Sequence, residues 1–182
     1  MLTCILACDT LGGIAKNGAI PWRIPQDLGL FRAMTIDSVV IMGRNTYDSL
    51  PDRYRPLPNR VNIIVTNRPL TPNPSVTHCM DFEQLVAYIR DNRDLDLWFI
   101  GGATLLQAIE EQGLINGYLL TIVHGNFDCD TKIDLDSIRF EKSRLIWDTY
   151  DKEINGLKYH FELRGVHGTQ THLNKIKAYL EC

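Results

Sequence analysis

A chain of 182 residues with 45% hydrophobic and 23% charged residues is long enough to bury one sizeable core and sits near the globular average, so one domain is expected. A net charge of −3 and a pI near 5.9 leave no basic field for nucleic acid, and no apolar run reaches the length of a membrane span. A small-molecule partner remains, with no nucleic acid and no membrane.

In chain order, Leu2 to Cys8 is an apolar strand candidate without the basic start or cleavage site of a signal peptide. Gly12-Gly13 and Lys16-Asn17-Gly18 punctuate a long loop. The stretch Ile20-Pro21-Trp22-Arg23-Ile24-Pro25-Gln26-Asp27-Leu28-Gly29-Leu30-Phe31 follows, and the spacing predicts a helix from Pro25 to Met34. Pro25 suits the first helical position, and Asp27 the first turn, where the macrodipole favours negative charge. Asp27 and Phe31 stand four apart and Leu28 and Phe31 three apart, so the carboxylate shares a face with the apolar stripe. A carboxylate drawn into an apolar pocket raises its pKa or finds a cation, which marks a candidate binding or proton-handling group. A plain dipole role for Asp27, and core packing for Trp22 and Phe31, are the alternative readings.

Ser38 to Met42 is a continuous apolar run of the kind buried on both faces of a sheet, and it breaks at Gly43-Arg44-Asn45-Thr46 into a short helix ending near Leu50. Pro51 to Asn59 is a proline-rich loop, Arg60 to Thr66 another buried strand, and Pro69 to Thr77 a further loop. Asp81 caps a helix running to Ile89, Leu95 to Ile100 is a strand, and Gly101-Gly102 opens a helix from Ala103 to Gln112 that stops at Gly113. Gly117 to Val123 is a strand; Arg144 to Tyr150 and Leu157 to Leu163, flanking Lys152 to Gly156, read as an antiparallel hairpin. Strands alternating with helices predict an α/β class, a three-layer domain with a largely parallel sheet.

Cys4, Cys8, Cys79, Cys129 and Cys182 are scattered without a Cys-x-x-Cys pair, which favours a reducing, cytoplasmic setting. The five histidines show no ligand spacing and Gly-x-Ser-x-Gly is absent, so neither a metal nor a hydrolase triad is expected. Gly43 to Thr46 and Gly101 to Thr104 each put glycine at a helix start directly after a buried strand, as phosphate sites do, although glycines often only turn the chain. Arg44 and Arg68 sit just past strand ends, where a guanidinium can hold a phosphate.

Ala19-Ile20-Pro21-Trp22, Pro25 with Asp27 and Phe31, Ile41-Met42-Gly43-Arg44-Asn45-Thr46, Pro56-Leu57-Pro58-Asn59-Arg60 and Ile100-Gly101-Gly102 together resemble dihydrofolate reductase in order and spacing, over residues 2 to 163. The resemblance implies that family's three-layer fold, with a central mostly parallel sheet, a C-terminal antiparallel hairpin and helices on both faces. It also implies NADPH-dependent reduction of 7,8-dihydrofolate to tetrahydrofolate, in support of one-carbon metabolism. By the same resemblance, Asp27, Trp22 and Thr121 carry catalysis, Asp27 and Thr121 holding the pterin. Ile5, Ala7, Leu28, Phe31, Leu50, Leu57 and Ile100 line the substrate pocket, and Arg60 pairs the glutamate carboxylate. Ala7, Ile14, Ala19, Ile20, Thr46 and Ile100 meet the nicotinamide. Gly43, Arg44, Asn45, Thr46, Gly101, Gly102, Ala103, Thr104 and Leu105 surround the pyrophosphate, and Arg44, Thr66, Asn67 and Arg68 take the 2′-phosphate. The Gly101–Gly102 bond is cis in this family, and Asp130 pins the loop from Gly12 to Trp22.

The chain departs from that pattern at Leu106, where the family usually has tyrosine, and at Ala15 and Cys129, each replacing glycine; rate and loop behaviour are what these affect. Another reductase on the same fold, such as the pyrimidine reductase of riboflavin synthesis, and a non-catalytic nucleotide- or folate-binding module are the rival readings. Asp27 argues against the first. The domain is expected at 1–164, with an extension at 165–182. There Gly165 and Gly168 loosen the chain, Thr171 caps, and Leu173, Ile176 and Leu180 form the stripe of a short helix. A monomer with this helix packed on its own body is the first reading, and a subunit or partner contact the second.

Overall fold

The unbroken apolar runs become strands and the capped, periodic segments become helices in the computed structural model, which describes residues 1–68, 78–166 and 170–180. In chain order these are β1 (Leu2–Asp9), β2 (Gly13–Ala15), α1 (Pro25–Thr35), β3 (Val39–Gly43), α2 (Arg44–Ser49), β4 (Val61–Val65), β5 (His78–Met80), α3 (Phe82–Asp91), β6 (Leu97–Gly101) and α4 (Ala103–Glu111). Then come β7 (Gly117–Val123), β8 (Thr131–Lys132), α5 (Leu135–Ser137) leading into a π-turn at Ile138–Lys142, β9 (Arg144–Asp148), β10 (Lys152–Ile154), β11 (Leu157–Gly165) and α6 (Gln170–Leu180). The class is mixed α/β. The chain divides into two compact units.

One unit comprises Met1–Thr3 with Thr35–Ile115. Its strands run β6-β3-β4-β5, all parallel, with Ile41 opposite both Ile63 and Phe99. Ile41, Met42, Ile63, Ile64 and Phe99 are fully buried, as a sheet covered on both faces requires. Asp81 caps α3 through a capping box with Gln84. The strand His78–Met80 was not expected, because it is three residues long and His78 and Cys79 are exposed; the loop expected at Pro69 to Thr77 lies outside the described residues. Buried Asn62 fixes the proline-rich loop, accepting from the Leu57 N–H at 3.0 Å and donating to the Leu57 carbonyl at 2.9 Å.

The other unit comprises Cys4–Met34 with Asn116–Cys182. Its strands run β10-β11-β7-β1, and β9 also pairs β11. The expected antiparallel pairing of Arg144–Asp148 with the chain after Leu157 is present, but the segment between them is not the expected connection. Lys152 to Ile154 is not loop but strand β10, with Lys152 opposite Tyr159, while β9 pairs the far half of β11, Asp148 opposite Glu162. The reason is the Asn155-Gly156 pair, whose φ values of 51° and 78° make a two-residue hairpin turn that pulls its flanking residues into pairing. A separate two-stranded sheet joins β2 to β8.

Along β11, His160, Glu162 and Arg164 alternate with the fully buried Phe161 and Leu163. Glu162 accepts from Arg139, from Arg164 Nη1 at 3.1 Å and from His160 Nε2 at 3.1 Å. Burial alone would raise its pKa, but the His160, Arg139 and Arg164 contacts outweigh that and hold it at about 2.

Helix α6 lies along α1. Lys175 Nζ donates to the Met34 carbonyl at 3.3 Å, a cation at a helix C-terminus, and the Tyr179 hydroxyl reaches the Gln26 carbonyl at 3.5 Å. Leu173 and Ile176 are buried; Gly168 and the side chain of Thr171 lie outside the described residues. Because Ile176 is completely buried, Ile176→Ala is expected to cost about 2–4 kcal/mol and lower Tm by roughly 5–15 °C in a thermal melt. An unchanged Tm would mean that the helix does not contribute to the core.

Candidate active site

Pro25 opens α1 and Asp27 occupies its first turn, with the chain entering so that the Leu28 N–H reaches the Ile24 carbonyl at 3.2 Å. The Thr121 hydroxyl, from the fully buried β7, donates to Asp27 Oδ1 at 2.5 Å, a short charge-assisted bond. Desolvation raises the Asp27 pKa and is only partly offset by that hydrogen bond. Tyr159 stands close by: its hydroxyl donates to Gln26 Oε1 at 2.8 Å, and burial followed by the Asp27 charge pushes its phenol up. Gln26 and Tyr159 were missed by sequence reasoning, because Tyr159 comes 132 positions after Asp27 and no local motif links them. Ile5 is buried, Phe31 and Ala7 are half-buried, and Leu28 is 54% exposed.

The loop after β1 is organised by Asp9, another residue that was missed. Fully buried, it accepts from the N–H groups of Leu11 at 2.9 Å, Gly13 at 2.8 Å and Phe127 at 3.2 Å. An Asp closing a strand just before a glycine pair was the available signal. Gly13 cannot carry a side chain, since a Cβ there would stand 2.6 Å from Cys129 Cβ. Further along, the Asp130 N–H donates to the Ala15 carbonyl at 3.0 Å and Asp130 Oδ2 accepts from the Asn17 N–H at 2.5 Å. The Asn17 hydrogen bond, with that of Thr131, holds the Asp130 carboxyl below its usual range. Asp130→Ala is therefore expected to speed hydrogen exchange at the Asn17 amide, measured by NMR, while the exchange of β7 stays unchanged. Trp22 is buried against Phe127, ring centroids 5.1 Å apart, and its indole N–H has no hydrogen-bond partner among the described residues. Ile14 is half-buried, and Ala19 and Ile20 are exposed.

In the first unit, α2 and α4 both begin at glycine, Gly43 and Gly102, with neither a side-chain cap nor an acidic residue in the first turn. A Cβ on Gly102 would lie 3.7 Å from Gly43 Cα, so the two backbones abut. The expected cis bond at Gly101–Gly102 is corrected: among the described residues the cis bond is Arg55–Pro56. The turn is made instead by φ values of 150° and 106° at Gly101 and Gly102, which only glycine adopts freely. A Cβ on Gly101 would also stand 3.0 Å from Thr46. Thr46, Ala103 and Leu105 are half-buried there, and Asn45 and Thr104 exposed. The arrangement offers uncapped backbone N–H groups and no negative charge, which fits a diphosphate.

An open pocket of about 430 Å³ lies beside it, with Thr66, Asn67 and Arg68 on one side and Cys79, Asp81 and Gln84 on the other. The Arg68 N–H donates to Thr66 Oγ1 at 3.1 Å, fixing the turn. Burial pushes the Cys79 thiol up, and the charge of Arg44 only partly offsets this; the Arg44 guanidinium is held by Asp48 at 2.7 Å. Leu50 and Ile100 are half-buried and Leu57 is buried. Arg60 Nε donates to Thr35 Oγ1 at 2.9 Å.

A sequence model of dihydrofolate reductase matches residues 1–164. The chain belongs to the dihydrofolate reductase family. It is 35% identical over 137 residues to the dihydrofolate reductase of Heliothis virescens, covering 69% of this chain and 74% of that protein. It is 33% identical to that of Ureaplasma parvum over 82% of this chain and 92% of the relative. Among solved structures, dihydrofolate reductase from Enterococcus faecalis complexed with NADP(H) and RAB-propyl superposes with a TM-score of 0.75 at 26% identity, over 92% of this chain and 97% of that one. Against the dihydrofolate reductase pattern, Leu106 is buried in α4 and Cys129 is buried beside Gly13, while Ala15 keeps its place in β2.

Proposed function

We propose that this chain is an NADPH-dependent dihydrofolate reductase, reducing 7,8-dihydrofolate to 5,6,7,8-tetrahydrofolate by hydride addition at C6 and proton addition at N5. The observation that carries the reading is Asp27, a carboxylate whose burial raises its pKa and whose Oδ1 is held by the Thr121 hydroxyl at 2.5 Å. Bound NADPH supplies the hydride. Asp27 orients the pterin through its 2-amino group and N3, and its charge favours the cation that forms when N5 takes up a proton. Thr121 fixes the rotamer of Asp27, and Trp22 offers a buried indole N–H. Ile5, Ala7, Leu28, Phe31, Leu50, Leu57 and Ile100 line the substrate pocket in this reading, and Arg60 meets a carboxylate of the glutamate tail. Gly43, Asn45, Thr46, Gly101, Gly102, Ala103, Thr104 and Leu105 hold the diphosphate, with Ile14, Ala19 and Ile20 near the nicotinamide. In this reading the protein acts as a cytoplasmic monomer.

Loss of NADPH absorbance on adding dihydrofolate tests the reading directly, and no loss with NADPH still bound would refute it. The 2′-phosphate assignment has its own check. Arg44, Thr66, Asn67 and Arg68 select NADPH over NADH because a dianion needs charge-assisted donors that NADH cannot use. The double variant Arg44→Ala, Arg68→Ala is expected to shrink the NADPH preference in kcat/KM by about 10²-fold, roughly 3 kcal/mol. An undiminished preference would assign the phosphate to other residues.

A further inference from the structure

Away from Asp27, three strands of the second unit bring two imidazoles and a carboxylate to one point. His124 is the first residue after β7, and its N–H donates to the Lys158 carbonyl of β11 at 2.8 Å. His160 lies in β11 opposite Ile122 of β7, and Asp151 immediately precedes β10. His124 Nε2 stands 3.0 Å from His160 Nδ1 and 3.2 Å from Asp151 Oδ1, and His160 Nδ1 stands 3.6 Å from the same carboxylate oxygen. Ligands about 2.0–2.1 Å from a tetrahedral ion are separated from one another by roughly 3.3–3.4 Å. The three separations straddle that value. We propose that His124, Asp151 and His160 form a divalent transition-metal site, zinc being the ion that suits it, which clips β7, β10 and β11 together.

The surroundings favour a metal over a plain hydrogen-bond cluster. The far nitrogen of His160, Nε2, is 3.1 Å from Glu162 Oε1, and Glu162 is itself held by Arg139 and Arg164. Donation from Nε2–H to that carboxylate leaves the lone pair on Nδ1, aimed at the cluster centre, the arrangement that orients metal-bound histidines. With both imidazoles neutral and no ion, a single proton on His124 Nε2 serves both His160 Nδ1 and Asp151 Oδ1; an ion takes a lone pair from all three. The Asp151 side chain is 58% exposed, which provides an entry path and a fourth position for water. Two imidazoles with one carboxylate suit zinc, nickel or copper and not magnesium or calcium, which prefer all-oxygen shells. None of the three residues belongs to the Asp27 site, so the ion is structural.

The test is isothermal titration of ZnCl2 into the full-length chain after stripping with EDTA, paired with thermal melts. One zinc per chain is expected, with a rise in Tm, and Co2+ in its place should give the visible spectrum of tetrahedral coordination. His124→Gln and Asp151→Asn are surface changes whose folding circular dichroism will check, and each is expected to weaken zinc binding by at least about tenfold. Absence of a zinc-dependent heat and Tm shift would overturn the proposal. So would binding that either variant leaves undiminished, since the zinc would then be held elsewhere, for example at the exposed Cys79.

Discussion

Asp27→Asn is expected to lower kcat/KM for dihydrofolate at neutral pH by about 10²–10⁴-fold, the range over which a positioned acid or base contributes. NADPH binding should survive, and activity should recover as pH falls and the substrate arrives already protonated. The stability effect has the opposite sign. The Asp27 pKa is raised by desolvation, so its charge disfavours folding: the favourable contribution is complete below the unfolded value and is lost as pH rises through the folded one. The neutral amide removes that cost, and a melt at neutral pH should show Tm unchanged or higher while turnover collapses. Steady-state rates across pH beside melting curves decide it; an unchanged pH–rate profile would remove Asp27 from proton handling.

The second large effect concerns folding. Glu162→Gln keeps the shape of the side chain but leaves Arg139 and Arg164 without their carboxylate. Arg164 is only 9% exposed in its side chain, so an uncompensated buried charge results, at a cost of about 3–5 kcal/mol. Acid titration gives an independent readout. The folded pKa of Glu162 is about 2 against an ordinary 4.5, so its contribution, on the order of 3 kcal/mol, is complete above pH 4.5 and drains away as pH falls towards 2. The variant should have a lower Tm at neutral pH and a flatter acid limb. Parallel acid limbs for the two proteins would show that the carboxylate is not the group being titrated.

Most of the framework was legible because burial on both faces writes a strand as an unbroken apolar run. Val39 to Met42 and Ile63 to Val65 are such runs, and Asp81 is readable as the cap of its helix, to which the structure adds the reciprocal bond of Gln84. Asp27 stood out because it interrupts an apolar stripe at a helix start. What stayed hidden depends on pairing between distant segments. The strands β2 and β8 are three and two residues long and exist through each other, so no local pattern marks them. His124 and His160 lie 36 positions apart, which no ligand spacing could reveal. The alternation of His160, Glu162 and Arg164 with Phe161 and Leu163 was readable, but a polar face there suggests solvent, and the structure instead closes it with Arg139 from the π-turn. The trans Gly101–Gly102 bond shows the limit of carrying a family's backbone detail onto a new chain.

The grip of α6 on α1 separates two boundaries that are easily taken as one. The family-model match ends at residue 164, yet the helix that bears Asp27 is held at its Met34 end by Lys175 and near its start, at Gln26, by Tyr179. A graft of this reductase cut where that match ends would keep Asp27 and Thr121 without the brace that holds α1. Its first symptom should be early heat inactivation, with α1 loosening before the sheet does. Inheritance and mechanical support therefore end one helix apart in this protein, and a transplant that respects the second limit needs to carry the chain through Leu180.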